Sequence, residues 1–263
     1  MCFGWWRERR RRKLLAGPVD PRWRAWLQDE VAFFPRMPAA EQDRLLDLVR
    51  IFVAETRFVA AAGFELSEHH RVVIAAAMAR LALGLGPEVY RDLRSVIVYP
   101  DAWKNAALGD GAILGEAHDF GVVVLSWKDV AGGLRNPEDG HDTATHEFAH
   151  VLDGLDGRFD GVPPRPTRAD VAEFSQLVRH HLGRLRKERK PERRVLRAYG
   201  ATNEAEFFAV STEAFFEKPR QLQKRLPELY HELCELYGVD PAAWTRTQHG
   251  RTFEAPDTST ESA

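Results

Sequence analysis

The chain contains little cysteine and no long apolar run. Its two cysteines, Cys2 and Cys234, indicate no disulfide framework, which is typical of proteins in a reducing compartment. No stretch reaches the ~18 consecutive apolar residues of a membrane-spanning helix. The basic N-terminal segment is not followed by the apolar core of a secretory signal. These absences predict a cytoplasmic protein without an integral membrane segment.

The sequence also lacks an excess of charge of one sign. Its 37 lysines and arginines nearly balance 39 aspartates and glutamates, for a net charge of −2. A protein with no overall basic field has no general attraction for a polyanion, so nucleic acid is not an expected partner. Locally, however, Trp5 and Trp6 stand beside a cluster of arginines that could contact an anionic membrane or nucleic acid.

The length of 263 residues suffices for one sizeable domain. We expect a basic, flexible N-terminal arm over residues 1–19, a folded domain over 20–245 and a disordered tail over 246–263. Apolar residues recur at helical spacing, and two short runs are typical of strands. The predicted helices are 41–62, 68–83, 168–188, 204–217 and 220–237, and the predicted strands are Val96–Tyr99 and Gly121–Trp127. This pattern indicates an α+β fold that is mostly helical.

The most informative segment reads His-Glu-Phe-Ala-His. On a helix, His146 and His150 lie four positions apart on one face, where two imidazoles can bind one Zn²⁺. Glu147 is rotated about 100° from His146, which suits a general base beside the metal. The alternative is an ordinary amphipathic helix that happens to carry two histidines. A cap at Asp142 and a stop at Gly154 favour a rigidly held helix, and hence the metal site.

A third ligand must come from elsewhere, and a later predicted helix offers several carboxylates. Glu206 stands among apolar residues and is expected to point inward, whereas Glu213, about two turns further, could orient a ligand histidine. Asp153 shares the face of the histidines, but its short side chain favours a supporting role or a helix cap. The competing glutamates are Glu204, Glu206, Glu213 and Glu217.

Two runs, THEFAHVLD at 145–153 and YGATNEAEFFAV at 199–210, resemble the Mlc titration factor A (MtfA) family of bacterial zinc metallopeptidases. The core of that family is similar to the lethal-factor type of gluzincin. Further similar segments lie at 63–66, 96–100, 122–127 and 215–219. The resemblance implies a zincin-like core in which a small sheet accompanies the helix of the HExxH motif.

The resemblance also implies a set of site residues. His146, His150 and Glu206 would hold one Zn²⁺ per chain. Glu147 would be the general base, and Tyr199 would stabilise the oxyanion. The reaction is then hydrolysis of a peptide bond by a metal-activated water.

The same resemblance predicts a class of substrate and a partner protein, and one predicted strand indicates where a peptide would bind. The resemblance implies exopeptidase action on small residues, and a carboxylate that binds a free α-amino group would make the enzyme an aminopeptidase. A peptide would pair with the strand that contains Val122 and Val124, and Glu116 before it would bind a free α-amino group. An ordinary solvated loop residue is the alternative for Glu116. The resemblance further implies association with an Mlc-type transcriptional repressor, so the alternative function is a regulatory protein that sequesters it.

Overall fold

Helices make up most of the chain that the computed structural model describes, namely residues 2–101, 121–136, 140–189 and 195–244. The predicted mostly helical α+β fold is confirmed. No helix within these ranges has the length and apolar character needed to cross a membrane. The helices are α1 (Cys2–Ala16), α2 (Pro21–Glu30), α3 (Ala39–Glu55), α4 (Glu68–Ala82), α5 (Trp127–Arg135), α6 (Thr143–Asp153), α7 (Arg168–Lys187), α8 (Glu204–Glu217), α9 (Pro219–Arg225) and α10 (Pro227–Tyr237).

A small parallel sheet accompanies these helices. Its three strands are β1 (Phe58–Ala60), β2 (Ser95–Tyr99) and β3 (Val122–Ser126), in the order β1-β2-β3. Phe58 pairs with Val96, and Ser95 pairs with Val122. Because β2 is central, β3 is an edge strand of the described sheet, and α6 packs against it.

Several boundaries differ from those predicted, and three of the differences have a clear local cause. The helix predicted over 41–62 ends at Glu55, because residues Phe58–Ala60 pair with β2 instead. The strand predicted to reach Trp127 ends at Ser126, whose side chain caps α5 by accepting a hydrogen bond from the backbone nitrogen of Asp129. The helix predicted over 220–237 is divided at Pro227, which lacks the N–H that a continuous helix needs.

Helix α4 lies in the centre of the core. All of its residues from Val72 to Ala82 are buried, and it packs against α3 and α6. A helix that is apolar on every side can only be an interior element. The exception to its apolar character is Arg80, which is fully buried and is described with the site below.

The N-terminal segment forms α1, whereas the sequence led us to expect a flexible arm over residues 1–19. Arg11, on its inner face, donates hydrogen bonds to Glu55 over 2.9 and 2.6 Å and to Glu88 over 2.5 Å. At its C-terminal end, Arg50 donates to the carbonyl oxygens of residues 14, 15 and 17. These bonds connect α1 to the body of the protein. The predicted tail, 246–263, lies outside the described residues.

Candidate active site

Helix α6 begins at a buried cap and carries both histidines. Asp142 accepts a hydrogen bond from the backbone nitrogen of Thr145 over 3.0 Å, as the N-cap that the sequence predicted. His146, Glu147 and His150 are only 5%, 4% and 5% exposed. Polar groups buried to this extent need partners or an ion. The helix therefore presents the three side chains in an enclosed, pre-formed position.

Helix α8 brings a carboxylate to the two imidazoles. Its N-cap, Asn203, accepts a hydrogen bond from the backbone nitrogen of Glu206 over 2.8 Å. Glu206 Oε2 lies 3.1 Å from His146 Nε2 and 3.6 Å from His150 Nε2, and the two Nε2 atoms are 3.2 Å apart. Among the described residues, these three form the one cluster of potential donors whose ligand atoms all lie within 4.8 Å of one another. The cluster is compatible with a metal ion.

Glu213 contacts the Nδ1 atom of His146, whereas Nε2 of the same ring faces Glu206. Glu213 Oε1 lies 2.7 Å from His146 Nδ1, and its Oε2 accepts a hydrogen bond from the backbone nitrogen of Asp142 over 3.0 Å. Arg197 Nη2 donates to the same Oε1. When Nδ1 carries the proton and donates it to a carboxylate, the lone pair of Nε2 is left for a metal. Glu213 thus has the contacts expected of a residue that orients a ligand histidine.

The electrostatics of the cluster favour positive charge between the carboxylates. Burial lowers the pKa of His146, but hydrogen bonds to Glu206 and Glu213 and the charge of Glu147 outweigh it and raise that pKa to about 10. Burial raises the pKa of Glu206, yet His146 and His150 more than offset it and hold that pKa below its usual range. The same arrangement that favours protonated imidazole will favour a bound cation, which competes with those protons for the same nitrogens.

Tyr199 lies beside the cluster, on a short 3₁₀ helix formed by residues Ala198–Ala201. Its ring is centred 5.9 Å from that of His146, and it is 45% exposed. Burial of the hydroxyl, together with the charge of Glu206 and a hydrogen bond to it, raises the pKa of Tyr199 to about 12. The hydroxyl therefore keeps its proton at neutral pH and can act as a hydrogen-bond donor beside the cluster.

Asp153, at the C-terminal end of α6, is placed differently from the other predicted residues. It is fully buried, its Oδ2 accepts a hydrogen bond from the backbone nitrogen of Gly161 over 3.0 Å, and burial raises its pKa to about 7. Gly161 has φ of +76°, and a Cβ there would lie 2.2 Å from the carbonyl oxygen of Glu204 in α8. The structure thus brings the Asp153 carboxylate to the loop that follows α6, where Gly161 contacts the start of α8.

Of the three predicted substrate-binding residues, the structure describes Val122 and Val124. Val122 and Val124 are half-buried on one face of the edge strand β3, while Val123 and Leu125 point into the core. Within the described residues, β3 pairs with β2 and with no other strand. Glu116 lies outside the described residues.

A buried arginine connects the two helices that carry the donor cluster, and the sequence analysis missed it. Arg80 of α4 is fully buried. Its Nη2 lies 2.5 Å from Asp142 Oδ2 and also donates to Thr145 Oγ1, and its Nη1 lies 3.3 Å from Glu217 Oε1. The guanidinium stacks on Phe216 at 4.9 Å from the ring centre. The ion pair with Glu217 engages one of the glutamates that competed for the ligand role. A lone arginine in an alanine-rich apolar run was the available sequence signal.

The known proteins that this chain is similar to include metallo-peptidases. The family described as glucose-regulated metallo-peptidase M90 matches residues 4–238. The chain is 34% identical over 248 residues to the protein slr2042 of Synechocystis sp., covering 90% of each chain. It is 30% identical over 234 residues to Mlc titration factor A of Salmonella arizonae, covering 82% of this chain and 92% of that one. The same protein of Salmonella typhimurium is also 30% identical, with 82% and 87% covered. These matches confirm the resemblance found in the sequence, and the chain belongs to the M90 family of metallo-peptidases.

Proposed function

We propose that this protein is a zinc-dependent peptidase of the gluzincin type, with His146, His150 and Glu206 as the zinc ligands. The observation that carries the proposal is the convergence of these three donor atoms within 4.8 Å. Two imidazoles and one carboxylate, with a fourth position left for water or substrate, are a known donor set of catalytic zinc sites. The hydrogen bond between His146 Nδ1 and Glu213 supports it, because ligand histidines almost always have such a partner.

Each remaining residue of the site has a chemical task in this proposal. Zinc, when bound, would supply Lewis acidity and lower the pKa of a water to about 7. Glu147 accepts the proton of the attacking water and then donates it to the leaving amine. Tyr199, which keeps its proton at neutral pH, donates a hydrogen bond to the carbonyl oxygen of the substrate as negative charge develops there.

We further propose that the enzyme is an aminopeptidase acting on small residues. The peptide backbone would add to the edge strand β3 beside Val122 and Val124. The support for strand addition is the position of β3, which borders the described sheet and packs against α6. Glu116 remains the proposed partner of the free α-amino group.

A combined measurement of metal content and activity tests the catalytic proposal. Glu147→Gln should keep about one zinc per chain but lose activity by about 10² to 10⁴-fold on an alanyl reporter, because only proton transfer is removed. Wild-type protein that binds zinc but cleaves no peptide would contradict the peptidase proposal, and protein that binds no zinc would contradict the metal site.

A pair of glutamates in the first turn of α8 tests the third ligand. Glu206→Gln should weaken zinc binding strongly, since a neutral amide replaces a charged ligand. Glu204→Gln is the matched control, because Glu204 lies in the same turn but outside the donor cluster. Equal zinc affinity of the two variants would reject Glu206 as a ligand.

Blocked and free substrates test the aminopeptidase proposal. Glu116→Ala should lower the rate on peptides with a free α-amino group and leave the rate on amino-blocked peptides unchanged. An equal loss on both kinds of substrate would exclude recognition of the amino group by Glu116 while leaving the peptidase proposal intact.

The second candidate function is sequestration of a transcriptional repressor of the Mlc type. It is favoured by the relatives named Mlc titration factor A, which are 30% identical over 82% of this chain. Titration of purified repressor with wild-type protein and with Glu147→Gln would separate the two functions. Binding by both proteins would show that association does not need catalysis, and absence of binding by either would remove this candidate.

A further inference from the structure

Helix α1 exposes two large aromatic side chains that the proposed active site does not use. In the described part of the chain, the exposed large hydrophobic residues are Trp5, Trp6 and Tyr199, at 52%, 62% and 45% exposure. Tyr199 belongs to the candidate active site. Trp5 and Trp6 are adjacent on α1, and their rings pack edge to face with centres 5.2 Å apart. Adjacent exposed tryptophans expose an apolar patch that requires an explanation.

The same face of α1 is basic. At about 100° per residue, Arg9 and Lys13 fall between Trp5 and Trp6 around the helix, and Arg10 lies about 40° beyond Trp6. All three cations are exposed, and the Arg9 guanidinium lies 5.4 Å from the centre of the Trp5 ring. No ion pair within the described ranges involves these three cations. We call Trp5, Trp6, Arg9, Arg10 and Lys13 the outer face of α1.

The opposite face of α1 fixes the helix to the protein. Arg11 points inward, with a side chain only 7% exposed, and pairs with Glu55 and Glu88. Arg7 adds a contact of 3.3 Å to Glu88, and Arg50 of α3 donates to carbonyl oxygens at the end of the helix. Because the helix is held from one side, its outer face is presented to the surroundings in a constant orientation.

We propose that the outer face of α1 binds the surface of an anionic lipid bilayer. Tryptophan is enriched at the level of lipid headgroups, and basic side chains beside it are attracted to anionic lipids. Two features favour a bilayer over nucleic acid. The tryptophan rings stand at 82°, so they cannot clamp a base between parallel faces. The cations of the outer face of α1 form a short local cluster on a chain whose net charge is −2, which suits a local surface contact better than a long polyanion.

Vesicle flotation with the full chain tests the proposal. The vesicles are phosphatidylcholine alone or an equal mixture of phosphatidylcholine and phosphatidylglycerol. Wild-type protein should float with the anionic vesicles, should not float with the neutral ones, and should be released by high salt. The triple variant Arg9→Gln, Arg10→Gln, Lys13→Gln should bind about a hundredfold more weakly, since each cation near an anionic leaflet contributes roughly a fivefold factor.

Matched variants distinguish the outer face of α1 from charge in general. Arg168→Gln, Arg179→Gln and Lys187→Gln remove the same charge from exposed positions on α7 and should leave binding unchanged. Trp5→Ala with Trp6→Ala should abolish flotation, whereas Trp5→Phe with Trp6→Phe should retain most of it. The proposal is overturned if wild-type protein does not float with anionic vesicles, if the α7 variant loses as much binding as the α1 variant, or if an oligonucleotide competes the protein off the vesicles.

Discussion

Arg80 and Asp142 form a fully buried ion pair, with 2.5 Å between Nη2 and Oδ2, at the point where α4 meets the first turn of α6. Asp142 is also the N-cap of α6, and its backbone nitrogen donates to Glu213. The pair therefore links the cap of the helix that bears His146 to the carboxylate that contacts the Nδ1 atom of that histidine.

Removal of this arginine should strongly destabilise the fold. Arg80→Met would leave Asp142 and Glu217 buried without their cation, and we expect the free energy of unfolding to fall by about 3–5 kcal/mol. Urea denaturation measures the change. Arg91→Met is the control, because its ion pair with Asp92 is exposed and should contribute about 0–1 kcal/mol. A loss for Arg80→Met no larger than that of the control would refute the stabilising role.

Loss of the carboxylate behind His146 should weaken metal binding more than folding. We expect Glu213→Gln to reduce zinc affinity about 10–100-fold, since a neutral amide holds the Nδ1 proton less strongly. Competition with a chelator of known affinity gives the change. Unaltered affinity in a variant that still folds would show that Glu213 has no part in orienting the ligand.

The hydroxyl of Tyr199 should matter for turnover and not for metal content. Tyr199→Phe keeps the ring beside His146 but removes the hydrogen-bond donor, so kcat should fall by about 10²-fold with zinc retained. Steady-state kinetics together with metal analysis will measure both. A variant with normal kcat would leave Tyr199 as a packing residue only.

His181 should make the stability of the protein dependent on pH. It is 5% exposed, and neither ring nitrogen has a hydrogen-bond partner among the described residues. Burial, His180 and Arg184 lower its pKa from 6.5 to about 4, although Glu228 opposes them. The unfolded chain therefore binds this proton first as the pH falls. The stabilising contribution is complete above about pH 6.5 and disappears as the pH falls toward about 4.

The variant His181→Leu isolates this contribution. Between pH 7 and pH 5, wild-type protein should lose about 2 kcal/mol of unfolding free energy more than the variant does. His231→Leu should behave as wild type, because the side chain of His231 is 76% exposed. Parallel pH profiles for wild type and His181→Leu would contradict the prediction.

The local part of the site could be predicted from the sequence because it depends on helical spacing alone. The positions of His146 and His150 on one face, and the cap at Asp142, involve residues within a few positions of one another. The position of Glu206 relative to these residues could not be predicted from helical spacing. Its apolar neighbours favoured Glu206 among four glutamates and the family resemblance implied it as a ligand, but its distance of 3.1 Å from His146 depends on the packing of two helices far apart in sequence.

The long-range contacts could not be predicted from one sequence. Arg80 lies 62 positions from Asp142 and 137 from Glu217, and no local pattern connects residues so far apart. Strand β1 is only three residues long, too short for an alternating pattern, so the helical signal before it was extended too far. Similarly, α1 has no apolar stripe, because its inner face is held by Arg11 through ion pairs.

The contact of Gly161 with α8 determines how closely the two helices that carry the donor cluster approach each other. The hydrogen bond that the backbone nitrogen of Gly161 donates to Asp153 holds this glycine at the end of α6, and the backbone of Glu204 lies directly against it. Only the backbone of the loop at Gly161 therefore separates the end of α6 from the start of α8. A side chain at position 161 would clash with the carbonyl oxygen of Glu204. Relief of this clash would move the first turn of α8, and with it Glu206, away from both imidazoles. The dimensions of the donor cluster thus depend on a residue that contributes no side chain at all.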